Sequence, residues 1–136
     1  MSKETQPSLP DHSARWDDAC LAAALFAVDP AGSGGISVRA LPGPVREIWM
    51  ELLRELLPPE LPFRRIPLHI ADGRLLGGLD LAATLHAGRP IAERGLLAEA
   101  DGGVVQLAMA ERVGRSTAAY LSTALDNGEI QVERDG

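Results

Sequence analysis

The chain has 136 residues, 46% of them hydrophobic and 24% charged, the balance of a globular domain long enough to bury about two-thirds of its unfolded surface. Its formal net charge is −6 and no lysine follows Lys3, so the basic stripe that holds a nucleic-acid backbone is missing and nucleic acid is not an expected partner. No apolar run reaches the roughly 18 residues of a membrane span, and the single cysteine, Cys20, has no partner for an internal disulfide.

One domain is the default expectation at this length. Residues 1–15, "MSKETQPSLPDHSAR", are polar and lack the apolar centre of a signal peptide, so they read as a loose, disordered, cytosolic tail. From Trp16 to Ala24, "WDDACLAAA" is alanine-rich with one apolar face and predicts a helix running into "LFAVDP". Pro30 and the glycines of "AGSGG" then force a turn. "GISVRA", Gly35 to Ala40, carries β-branched Ile36 and Val38 and predicts a short strand. A helix follows directly. Pro44 suits its first turn, and Val45, Ile48, Trp49, Leu52, Leu53 and Leu56 recur at the spacing of a buried stripe until Pro58 and Pro59 stop it.

"RRIPLHI", Arg64 to Ile70, is apolar but holds Pro67, which cannot donate to a ladder, and predicts an edge strand. "LDLAATLHAG" predicts a short helix ended by Gly88. "VVQLAMA", Val104 to Ala110, reads as a strand buried on both faces. Ser116 is placed to cap a helix "STAAYLSTALDNG" closed by Gly128, and "EIQVER" offers a last strand. Strands separated by helices predict an α/β fold with a mostly parallel sheet.

Two glycine-bearing turns raise the question of a phosphate site. A phosphate loop joins the C-terminal end of a strand to the N-terminus of a helix, whose free amides and dipole face the anion. "AGSGG" lies between a helix and a strand and reads as a plain turn. "ALPGPVRE" has the right position but not the chemistry. Where G-x-x-x-x-G-K-[ST] needs a glycine, a lysine and a hydroxyl for Mg²⁺, this chain has Ala40, Val45, Arg46 and Glu47, and a carboxylate beside a triphosphate adds repulsion. Arg46 keeps the charge, or is simply a solvated residue of the first helical turn.

Read together in order, "AVDP…GG", "LLP" at Leu56 to Pro58, "RRIP", "LGGLDLAATLHAGRP", "ERGLLAEADGGV" and "LDNGEIQVERDG" resemble the N-terminal AAA+ portion of the D subunits of magnesium chelatase, over residues 16–136. The ATPase of that enzyme, its I subunit, is similar along the same length. The resemblance implies a partial AAA+, P-loop-like α/β core over 16–136 with a degenerate nucleotide site at Ala40, Gly43, Arg46 and Glu47. It puts the family's Walker B acids at Ala108 and Met109, neither of which can hold a magnesium-bound water or act as a base. Glu111, two positions on, reads as a polar loop residue or a substitute acid.

The resemblance further implies an assembly or platform role. Such a subunit forms a AAA+ ring hetero-oligomer with the I subunit, and the pair drives the porphyrin-holding H subunit to insert Mg²⁺ into protoporphyrin IX in chlorophyll or bacteriochlorophyll biosynthesis. ATP and Mg²⁺ then act at the level of the complex, with none expected to be bound by this chain alone. The family's sensor strand, arginine finger, helical lid, acidic linker and integrin-I-like domain have no counterpart in these residues, so the chain reads as a fragment expected to be marginally stable or to self-associate. The region Leu75 to Glu99 matches an insertion of the family, and Arg89, Glu93 and Arg94, with Asp80, are either subunit contacts or solvated loop charges. His12, His69 and His86 are too scattered to predict a metal site, and Cys20 reads as a small core residue. An active P-loop ATPase of the same superfamily and a free-standing interaction domain remain as other readings.

Overall fold

The computed structural model describes residues 11–129, so the strand expected in "EIQVER" falls mostly outside the described residues. The chain divides into two compact units, Met1–Pro59 and Glu60–Gly136.

The first unit is helical. Helix α1 spans His12–Val28 and begins inside the segment expected as a tail, because the Asp11 carboxylate caps it, accepting hydrogen bonds from the amides of Ser13 and Ala14 at 3.1 and 3.4 Å. "AGSGG" closes as a single helical turn, α2, Pro30–Ser33, with Asp29 accepting from the Gly32 amide at 2.9 Å. The strand expected at Gly35–Ala40 does not form. Gly34 and Gly35 take positive φ, residues 31–42 are exposed, and no other segment of the described residues pairs with them, so the β-branched residues have no pleated surface to fit.

Helix α3, Pro44–Leu56, forms as expected and packs against α1. Its buried stripe is narrower than the sequence suggested. Trp49 and Leu53 are buried, followed by Leu57, whereas Val45, Ile48 and Leu56 are exposed. Phe26 and Ala23 are the buried residues of α1, and the Trp49 indole N–H donates to the Ala19 carbonyl at 2.8 Å, so the one polar atom carried inward by the ring is satisfied.

In the second unit, strand β1 spans Phe63–Ile66 and ends where Pro67 stops the ladder. It pairs in parallel with β4, Val104–Leu107, Phe63 opposite Val104 and Ile66 opposite Leu107. Parallel strands need a long crossover, and here it carries α4 (Asp72–Leu76), β2 (Gly77–Leu79), α5 (Leu81–Ala87), β3 (Ala92–Arg94) and α6 (Leu96–Glu99). β2 and β3 pair antiparallel with Gly77 opposite Arg94, so the crossover contains a hairpin with α5 at its tip. Asp80, expected only as a contact or solvated loop charge, caps α5 through the Ala83 amide at 2.9 Å, and Gly88 ends the helix in the left-handed conformation, as the sequence predicted. Ile66 and Leu75 are fully buried and centre the core of this unit.

The parallel sheet is thus real but two-stranded. β4 is shorter than expected and its residues are half-buried, because β1 is its single hydrogen-bonded neighbour among the described residues. Helix α7, Arg115–Asn127, starts at an N-cap of Gly114, not Ser116, which lies inside the first turn; Gly128 ends it as expected, its amide bonding to the Ala124 carbonyl. No helix of the described residues is long and apolar enough to cross a membrane.

Candidate functional site

In α/β sheets ligands gather outside the carboxyl ends of the parallel strands. In the second unit those ends are Ile66 and Leu107, held side by side by the register. The segments leaving them, with Arg65 and Ile66, line an open depression of about 350 Å³ completed by Pro67, Leu68, Ala108 and Met109. Met109 is a non-glycine residue with positive φ, 52°, and its carbonyl accepts from the Arg112 amide at 2.9 Å to start a 3₁₀ turn, Ala110–Arg112. The tight turn sends the chain sharply away from the strand, leaving Met109 46% exposed and carrying Glu111 on the surface.

Ala108 and Met109, the positions where the resemblance leads us to expect the Walker B acids, therefore lie directly beyond the strand end. The lining supplies one guanidinium, aliphatic carbons and a thioether. It offers no carboxylate to ligate a divalent cation and none to deprotonate a water. Arg65 was not singled out from sequence. It lies in "RRIP", and only the pairing of β1 with β4 brings it to the rim.

In the first unit, Ala40 to Glu47 passes through an irregular stretch into the start of α3. Gly43 is its N-cap with φ 153°, no side chain caps the helix, and Pro44 contributes no amide. The Glu47 amide is already used by the Gly43 carbonyl at 3.2 Å. Arg46 is half-buried and Glu47 exposed. The segment has the helix end of a phosphate loop but not the strand end, since residues 35–40 form no strand.

The hairpin sorts the three candidate contact residues. Glu93 receives Arg74 at 3.0 Å, Arg94 donates to the Ala98 carbonyl at 2.9 Å, and exposed Arg89 makes no hydrogen bond or ion pair among the described residues. Asp80 is committed to the cap of α5. The same helix presents Leu81 and Leu85, one turn apart and 70% and 83% exposed. His12, His69 and His86 are all exposed, Cys20 is half-buried on α1, and among the described residues no three metal-ligating side chains cluster.

Comparison with known proteins gives relatives at the level of sequence. The chain is 43% identical over 105 residues to the magnesium-chelatase 60 kDa subunit of Rhodobacter capsulatus, a match that covers 77% of this chain and 18% of that protein. It is 46% identical over 111 residues to the 60 kDa subunit of Cereibacter sphaeroides, covering 82% of this chain and 19% of the relative. To the magnesium-chelatase 67 kDa subunit of Chlorobaculum parvum it is 32% identical over 112 residues, 82% of this chain and 18% of that subunit. The chain is thus homologous to these subunits over about four-fifths of its own length and spans just under a fifth of theirs. No family model and no solved structure matches it.

Proposed function

We propose that this chain supplies AAA+ platform structure to a magnesium chelatase as part of a D-type subunit, supporting ATP-dependent insertion of Mg²⁺ into protoporphyrin IX without hydrolysing ATP itself. The observation that carries the reading is the homology to magnesium-chelatase 60 and 67 kDa subunits at 32–46% identity along most of the chain. The small parallel sheet, with its long crossover and a depression at the carboxyl strand ends, is compatible with part of a AAA+ core. The proposed partners are the ring-forming ATPase, or I subunit, and the porphyrin-holding H subunit, and the proposed setting is chlorophyll or bacteriochlorophyll biosynthesis.

The residues do not fit Mg²⁺-dependent hydrolysis. The positions matched to the family's metal and base ligands are Glu47, Ala108 and Met109, and the depression beside the latter two holds no carboxylate. Hydrolysis needs a cation to neutralise charge developing on the phosphates and a group to orient the attacking water. ATP is accordingly a ligand of the assembly, and no hydrolytic step is assigned to these side chains.

The test is an ATPase assay on the purified full-length protein. We expect no turnover above the uncatalysed rate, and none from Arg46→Lys combined with Glu47→Ser, because that pair restores the lysine and hydroxyl but leaves Ala108 and Met109 unchanged. Turnover by the wild-type protein that Arg46→Ala abolishes would establish an active ATPase instead. Turnover by the double variant alone would assign the missing acid to another residue, Glu111 being the nearest.

A further inference from the structure

The first unit has a second concave feature, away from the turn at Ala40–Glu47. A groove of about 390 Å³ runs along α1 and α3, lined by Trp16, Cys20, Ile48, Glu51, Leu52 and Glu55. The spacing explains how it arises. Trp16 and Cys20 stand one turn apart on α1, while Ile48 with Leu52 and Glu51 with Glu55 form two neighbouring rows on α3. The most buried residues of this helix pair are Ala23, Phe26, Trp49 and Leu53, so the groove residues lie outside its centre.

Two features of the groove call for a ligand of mixed character. Its floor is apolar and incompletely covered, with Trp16 and Leu52 half-buried and Ile48 53% exposed. Its α3 wall carries two carboxylates at i and i+4, which repel one another on an isolated helix, and neither forms an ion pair among the described residues. On the same two helices exposed Asp17 and Asp18 are set against exposed Arg15 and Arg54, so the acidic character of the groove rests on Glu51 and Glu55.

We propose that this groove docks a cationic amphipathic helix of a partner protein, with apolar side chains against Trp16, Ile48 and Leu52 and arginines one turn apart facing Glu51 and Glu55. The match is geometric as well as electrostatic. Carboxylates four residues apart on a helix lie about 6 Å apart along its axis, the separation that basic residues at i and i+4 present. The bound arginines relieve the repulsion between the two acids, and the apolar contacts displace water from the floor. The inference does not rest on the chelatase reading, since it uses the chemistry of the groove alone.

Cys20, the one cysteine of this chain, lies in the groove and reports on its occupation. The probe is a synthetic helix of about four turns with leucines on one face and arginines flanking them, beside one control peptide with glutamates for the arginines and another with serines for the leucines. With the full chain, we expect the arginine–leucine peptide to protect Cys20 from N-ethylmaleimide saturably, and both controls to protect it at least about tenfold less well. E51K combined with E55K should abolish the protection, while D101K with D126K, the same charge change at exposed sites in the other unit, should preserve it. Should the lysine pair disturb the fold by circular dichroism, E51Q with E55Q replaces it, with the same expected loss. The proposal is overturned if the cationic peptide gives no protection, if the acidic peptide protects equally, or if protection survives substitution of both glutamates.

Discussion

Single residues decide how the hairpin is anchored to the second unit. Gly77 starts β2 with φ 93°, and a Cβ there would meet the Glu93 carbonyl oxygen at 2.8 Å and the Gly95 amide at 2.9 Å. Across from it, a Cβ on Gly95 would run into the backbone from Leu75 to Gly77. The two glycines let the entering and leaving strands cross in backbone contact, which no larger residue permits. Gly95→Ala is expected to destabilise the fold by about 1–3 kcal/mol, as overpacking does, whereas Gly78→Ala, whose Cβ meets nothing within 4 Å, should stay within about 0.5 kcal/mol. Urea unfolding of both variants checks this, and equal losses would show that the close approach is not limiting. At the other end of the chain, the hydrogen bond from the Ser13 hydroxyl and those from the Ala14 and Ser13 amides hold the Asp11 carboxyl below its ordinary 3.8. A lowered folded-state value contributes stability above about pH 4 that is lost as pH falls through that lowered value. The first turn of α1 should therefore lose amide-exchange protection below about pH 4, and Asp11→Asn should remove that dependence while Asp17→Asn leaves it.

At the scale of elements, α3 shows which part of an apolar pattern does the holding. Trp49, Leu53 and Leu57 follow one another at four-residue spacing and are 5%, 3% and 5% exposed, while Val45 and Ile48, from the same pattern, are 66% and 53% exposed. Leu53→Ala should cost about 2–5 kcal/mol, the range for an emptied core site, and Ile48→Ala about 0.5 kcal/mol or less; a thermal or urea midpoint separates them, and comparable losses would mean the stripe is buried along its whole width. The limits of sequence reading follow from the same contrast. Helices α3, α5 and α7 were legible because their signals are local: Pro44 at a start, Gly88 and Gly128 at ends. The strand expected at Gly35–Ala40 failed because strand propensity is a statement about a partner, and no partner among the described residues pairs with it. Ser116 lost the cap to Gly114 because a capping residue must have extended backbone, and that extension falls two residues earlier, at Gly114. The turn at Ala40–Glu47 was singled out by its place before a helix, and Ala108 and Met109 by resemblance alone. Periodicity could not mark Ala108 and Met109, and Arg65 becomes part of the rim only once β1 and β4 are in register.

At the scale of the whole molecule, the platform role proposed above would be exercised through the surface. Exposed arginines are common among the described residues, so what separates them is whether they are already engaged. In the hairpin Arg94 is engaged with the Ala98 carbonyl, so reversing its charge also removes a bond to the last turn of α6. Arg89 has no such duty and lies just past α5, whose Leu81 and Leu85 are exposed. Arginine is enriched among the residues that carry binding energy at interfaces, and exposed leucines on the preceding helix add apolar area to be buried. On the proposed function, Arg89→Glu should weaken binding of the full-length protein to the I subunit, in ATP and Mg²⁺, by about tenfold at low salt and by less as salt screens the contact. Leu81→Ser with Leu85→Ser should weaken it at every salt concentration, because apolar burial is not screened. Arg46→Ala, at the degenerate loop, should change it little. Titration of the labelled I subunit at two ionic strengths reads all three. Unchanged affinity for Arg89→Glu would move the contact off the hairpin, and a full-length protein that never binds the I subunit would remove the platform role itself.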